Sequence, residues 1–244
     1  MNIDDWFERG HVALITGASK GLGRAVAMEL AGRGLRVALT ARGNDELERV
    51  AAELAQRTDV LALPGDVADL SHVHALVVAV EERFGRLDLL VNNASTLGRS
   101  PMPALQNVSP ATFDRLFMTN VFAPLHLIQH SLPLLRDSGG TIVNVSSDAG
   151  VNAYPGWGGY GASKAALEHV SRTLAAELEG SGVTVIVADP GDMNTEMHRD
   201  AEPGVDLSGL PLPENVAPAL LAAIAAPRAA FARFTLQALD LAPV

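Results

Sequence analysis

The chain has 244 residues, 48% of them apolar and 19% charged, with a formal charge of −10 and no cysteine. That length suffices to bury one large core, and the lack of cysteine excludes disulfides and thiolate metal sites. The acidic balance argues against nucleic acid or an anionic membrane as partner, because both are bound through basic surface.

The first ten residues, MNIDDWFERG, lack the basic-then-apolar layout of a secretory leader, and no later apolar run approaches the roughly 20 residues that cross a bilayer. A cytoplasmic location is expected. A first strand is predicted at VALIT (12–16), and it runs into TGASKGLGR (16–24), where a helix over 21–33 begins. Gly17, Gly21 and Gly23 let the backbone approach a ligand closely, and the helix start offers unpaired N–H groups to an anion. The spacing is GxxxGxG rather than GxGxxG, and the glycines alone also fit a plain tight turn.

A second strand follows at RVALT (36–40) and ends in Ala41-Arg42-Gly43, with no acid until Asp45. A dinucleotide site that takes NAD places a carboxylate there, whereas one that takes NADP places a basic group for the 2′-phosphate. Arg42, with Lys20 in the glycine turn beside it, favours NADP(H), although two solvated surface cations would look the same. Helix 44–57, strand 60–63, helix 71–84, strand 87–91, a long helix 110–136 and strand 141–145 come next. Several of the strands are apolar at nearly every residue, as in a parallel sheet covered on both faces. The alternation gives an α/β, single-domain, doubly wound parallel sheet (Rossmann-like) with helices on both faces, spanning 1–244.

The last helical pattern, 160–180, opens on YGASK. The sequence holds two tyrosines and two lysines, and here Tyr160 and Lys164 stand four residues apart, on one helix face. A phenol with a pKa near 10 is a poor proton donor or acceptor at neutral pH, and a fixed ammonium beside it is expected to lower that value. A surface contact between helix neighbours is the bland alternative. A strand at 183–188 precedes an irregular stretch, about 192–213, that would suit a mobile lid over a substrate. RFTLQAL (233–239) could form a last strand. No histidine or carboxylate cluster has metal-ligand spacing, so no metal is expected.

In combination these motifs resemble the classical short-chain dehydrogenase/reductase family from about residue 11 to 195. TGASKGLG matches its TGxxxGxG motif, which implies cofactor contacts from Gly17, Ser19, Lys20, Gly21, Leu22 and Gly23. YGASK matches YxxxK. GDV (65–67) matches the segment where Asp66 and Val67 would meet the adenine. VNNAS (91–95) resembles NNAG, with Asn93 and Ala94 in place and Ser95 replacing the glycine. DPG (189–191) followed by Thr195 resembles the segment that holds the nicotinamide, with Pro190 and Gly191.

The resemblance further implies an Asn120-Ser147-Tyr160-Lys164 tetrad and an NADP-dependent oxidoreductase acting on a carbonyl or alcohol. Ser147 is selected over Ser146 because the family's serine lies 13 residues before its tyrosine. Tyr160 would be the general acid or base, Ser147 would hold the substrate oxygen, Lys164 would bind the nicotinamide ribose, and Asn120 would anchor a water. Asp148, Tyr154, Trp157, Met193, Met197 and His198 are candidate pocket residues. A homodimer or homotetramer is expected, although the family's glycine-rich tail is missing after RFTLQAL. A non-catalytic NADP(H)-binding sensor is the alternative function.

Overall fold

Seven short strands pair in parallel in the order β3-β2-β1-β4-β5-β6-β7. They are β1 (Val12–Thr16), β2 (Arg36–Thr40), β3 (Val60–Ala62), β4 (Leu89–Asn92), β5 (Thr141–Val145), β6 (Thr184–Asp189) and β7 (Phe231–Thr235). The structure, a computed structural model, describes residues 7, 10–226 and 229–239. The six expected strands and the parallel, helix-covered sheet are all present, and RFTLQAL divides into the end of β7 and a short turn over Leu236–Ala238.

Side chains alternate across the sheet, so each strand feeds two cores. Ala13, Ile15, Val37, Leu39, Val91 and Ile186 face one side. There they meet α1 (Gly21–Gly32), α2 (Asn44–Leu54) and α8 (Pro213–Ala225). Val12, Leu14, Ala38, Leu90, Ile142 and Val185 face the other, under α3 (Leu70–Phe84), α5 (Ala123–Ser138) and α6 (Gly158–Glu177). Burial on both faces explains why these strands read as nearly continuous apolar runs.

The helices start and stop on local signals. Asp69 caps α3 by accepting from Ser71 N–H, and Gly85 ends it at φ +68°. Ser109 caps α4 (Pro110–Phe117) in the same way, through Thr112 N–H. The expected single helix over 110–136 is instead α4, a π-helical turn at Met118–Phe122, and α5. Such turns insert an extra residue and recur at functional sites. This one carries Asn120.

Strand order reverses between β1 and β4, which both pair with each other and lead their helices to opposite faces. In open sheets of this kind ligands bind outside the carboxyl ends of the strands at that switch point. A cleft of about 1100 Å³ opens there, lined from the β1–α1 turn across to the 192–201 segment. That segment contains a short helix, α7 (Glu196–Ala201).

Candidate active site

At one end of the cleft, β1 turns into α1 through Gly17 and Gly21, at φ +64° and +58°. Both lie in the left-handed region that glycine alone enters freely. Asn93 pins the turn: its Nδ2 donates to Thr16 O at 2.8 Å and to Gly17 O at 3.3 Å. The Thr16 hydroxyl accepts from Asn93 N and Ala94 N at 3.0 and 2.9 Å, closing the switch point. Gly23 sits so deep that an added Cβ would strike the Gly17 carbonyl and approach Asn93 Nδ2 to 2.5 Å.

Around Gly21 the space is open, with only the Thr195 methyl at 4.0 Å from an added Cβ. Unlike α3 and α4, α1 has no side chain capping its first turn. Its leading N–H groups therefore face the cleft as a ready anion site. A dinucleotide pyrophosphate fits this cradle.

Ser19, Lys20, Leu22, Arg42, Asp66 and Val67 all line the same end of the cleft. Asp66 Oδ1 accepts from Ala68 N at 2.9 Å, which shapes the turn after β3. Lys20 also reaches across the cleft: its ammonium is 2.7 Å from Glu196 Oε1 on α7, joining the glycine turn to the 192–201 segment. The carboxylate of Glu46 also borders this end, beside Gly43.

At the other end, Tyr160 and Lys164 rise from the first turns of α6, buried at 8% and 2% exposure. Lys164 Nζ lies 5.5 Å from the centre of the Tyr160 ring and donates to Val145 O at 2.8 Å. The helix can come this close because Gly161 packs directly on the Ala149 carbonyl. Ser147 donates to Asp148 Oδ1 at 3.2 Å and accepts from Ala149 N at 3.2 Å.

The adjacent serines divide their tasks. The Ser147 hydroxyl acts on the Tyr160 phenol, whereas Ser146 donates to the buried Glu168 at 2.8 Å. The Ser95 hydroxyl also acts on the phenol and donates to Asn120 Oδ1 at 3.1 Å.

One expectation needs correcting. Tyr160 is not drawn down by Lys164. Burial pushes its pKa well above the ordinary 10, with Asp189 and Asp148 adding to the rise and Ser95 and Ser147 opposing it. Burial lowers Lys164 instead, to about 8, with Glu168 resisting the fall. An ion needs water or an opposite charge, and inside the protein each group moves toward its neutral form.

The side chain of Asn120 is fully used by the protein. Its Oδ1 accepts from Ser95 Oγ and Thr96 N, and its Nδ2 donates to Thr96 O and Ser163 Oγ, both at 3.0 Å. It clamps the 95–96 loop to α6.

Trp157, Met193, Met197 and His198 line the cleft as expected. Tyr154 instead donates to Asp148 Oδ2 at 2.6 Å and is 43% exposed, so this pair belongs to the cleft's rim. Pro190 and Gly191 line the floor, with Gly191 N–H donating to Asp189 Oδ1 at 3.0 Å. Thr195 caps α7 by accepting from His198 N–H. Among the described residues no histidine and carboxylate group could hold a metal.

Residues 11–206 match the family model of the short chain dehydrogenases. The chain belongs to the short-chain dehydrogenase family. Within the family it is 40% identical over 185 residues to an NADPH-dependent pterin aldehyde reductase of Arabidopsis thaliana, covering 75% of each chain. It is 37% identical over 188 residues to a 3-oxoacyl-(acyl-carrier-protein) reductase of Staphylococcus aureus, covering 76% of this chain and 75% of the other. A short chain dehydrogenase of Shigella flexneri solved with NADP superimposes with a TM-score of 0.87 at 28% identity, over 95% of this chain and 98% of that one. Like other short-chain dehydrogenases, the protein is an oxidoreductase by family. No helix among its described residues is long and apolar enough to cross a membrane.

Proposed function

We propose that the protein is an NADP(H)-dependent carbonyl reductase that also runs in reverse as an alcohol dehydrogenase. The observation that carries this reading is the junction, in one cleft, of an uncapped helix start with the buried Tyr160 and Lys164 and the half-buried Ser147. The similar Arabidopsis enzyme is NADPH-dependent and the similar Shigella structure holds NADP, which supports the same cofactor here. The positions of Arg42 and Lys20 agree with that choice, since arginine meets a phosphate through a planar fork.

Gly21, Leu22 and Gly23 would take the pyrophosphate on their N–H groups, Arg42 the 2′-phosphate, Asp66 and Val67 the adenine. Pro190, Gly191 and Thr195 would border the nicotinamide, and Asn93 and Ala94 hold the turn against it. When bound, NADPH supplies the hydride that reaches the carbonyl carbon. Ser147 would donate a hydrogen bond to the carbonyl oxygen and fix it beside Tyr160. The phenol, held neutral by burial, would then give that oxygen its proton, completing the alcohol.

A tyrosine kept protonated is in the form that donates in the reductive direction. Lys164 would face the ribose with its remaining N–H groups while Val145 O holds the ammonium in place. The 192–213 stretch would close over the substrate.

The test is Tyr160→Phe. Turnover of a panel of aldehydes and ketones should fall at least about a thousandfold, within the range that one proton donor contributes together with its positioning. NADPH affinity, read by fluorescence titration, should stay within about twofold. A variant that still turns over at the wild-type rate would end the mechanism, and a wild type that binds NADPH but reduces nothing would favour a sensor.

A further inference from the structure

Helix α6 carries Tyr160, Lys164, Glu168 and Arg172 at four-residue intervals, a stripe along one side of the helix. Glu168 is only 2% exposed, yet it is surrounded by donors. Its carboxylate accepts from Ser146 Oγ at 2.8 Å, from Arg172 Nη2 at 3.1 Å and from Arg233 Nε at 3.1 and 3.2 Å. Arg233 comes from β7 and reaches on to Asp189 Oδ2 at 3.5 Å, at the end of β6. Lys164 and Glu168 thus grip consecutive residues where β5 ends: the lysine holds the carbonyl of Val145, its last residue, and the glutamate the hydroxyl of Ser146 just beyond. The next residue is Ser147.

Stability is a weak explanation for such a cluster. Apolar residues of similar volume fill buried sites as well as ion pairs do, or better, because charges lose their hydration. A charge kept below an active site is better explained by what it does to the groups above it.

We propose that Glu168 is a positioning residue for the reaction: anchored by Arg233, it keeps the Lys164 ammonium charged and sets the β5 end that carries Ser147. This rests on the oxidoreductase reading above. The charged and titratable groups around the Lys164–Glu168 pair are Tyr160 and Arg172 on α6, Arg233 on β7 and Asp189 on β6. Glu168 alone among them is bonded to both the β5 end and β7. It resists the downward pull of burial on Lys164, whose pKa is already as low as about 8. Its removal would lower the lysine's pKa further and weaken the charge it presents to the phenol or the ribose.

Only two lysines occur in the chain, so the idea can be tested directly on the full-length protein. Lysine labelled with 13C at Cε gives two signals, assigned with Lys20→Arg, and the Lys164 titration is followed by NMR. Glu168→Gln should move it down by about one pH unit or more, as loss of a close opposite charge does. Arg233→Gln removes the anchor of Glu168 and should move it in the same direction by less, which keeps the test alive should Glu168→Gln fail to fold. The pH profile of kcat/KM should move with the titration in both variants, and Glu168→Asp should restore much of the wild-type profile.

A Lys164 titration unmoved by either variant overturns the proposal. So does a titration that moves while the kcat/KM profile stays fixed. The NMR arm needs no substrate, so a protein without carbonyl turnover whose Lys164 still shifts would sink the enzyme reading and leave the Glu168–Lys164 coupling standing.

Discussion

Burying Lys164 beside Tyr160 makes the two groups' effects on stability run in opposite directions with pH. Lys164 titrates at about 8 in the folded chain against 10.5 ordinarily. Between those values the unfolded chain binds more protons than the folded one, so stability rises with pH. Tyr160 is held protonated above 10. There the folded chain keeps a proton that the unfolded one has lost, and stability falls. Stability therefore climbs from about pH 8 and peaks near pH 10. The stability difference between wild type and Lys164→Met, from urea unfolding, should grow in favour of wild type by roughly 2–3 kcal/mol between pH 7.5 and 10. A flat difference would contradict the burial of the ammonium.

The spacing of this pair was legible in the sequence because four residues always return to the same helix face. The direction of the tyrosine's shift was not, because it depends on what covers that face. The covering comes from Ser95, Ser147, Asp148 and Asp189, which only the fold brings together. Glu168 was missed, yet it lies four residues beyond Lys164, and the same periodicity extended by one turn would have marked it.

The β1–α1 element was legible almost completely, since its glycines carry its geometry. They act in different ways, and substitution separates them. Gly23→Ala would push a methyl into the Gly17 carbonyl and the Asn93 amide. It should cost about 1–3 kcal/mol, as overpacking of a closed site does, and weaken NADPH binding. Gly32, at the end of the same helix, has nothing within 4 Å of an added Cβ. Gly32→Ala should be neutral or stabilise by up to about 1 kcal/mol through helix propensity alone. Paired thermal melts check both, and equal effects would mean that the turn is not as tight as its geometry states.

By contrast, the π-helical turn at Met118–Phe122 left no sequence signal. Its apolar pattern reads as continuous helix, and the extra residue is accommodated by tertiary bonds from Asn120 to Thr96 and Ser163. Lys20 shows the same limit. Its charge was legible, but its engagement by Glu196, 176 residues away, was not.

At the scale of the whole molecule, the cleft draws on the ends of β1, β4, β5 and β6 together. A ligand that fills it therefore stabilises the entire sheet by mass action, and the size of that effect reports which ligand fits. At a hundredfold excess over its dissociation constant, NADPH should add about 2.7 kcal/mol. In a chain of this length that raises the melting temperature by roughly 5–10 °C. At the same concentration NADH should give a clearly smaller rise, because it offers Arg42 and Lys20 no 2′-phosphate. Arg42→Ala should bring the NADPH shift down towards the NADH value while leaving the NADH shift in place. Releasing Lys20 with Glu196→Gln should enlarge the NADPH shift alone, since the lysine then has no competing carboxylate. Equal shifts from the two cofactors, untouched by Arg42→Ala, would reassign the adenine end to NAD and turn attention to Glu46, the carboxylate that borders it.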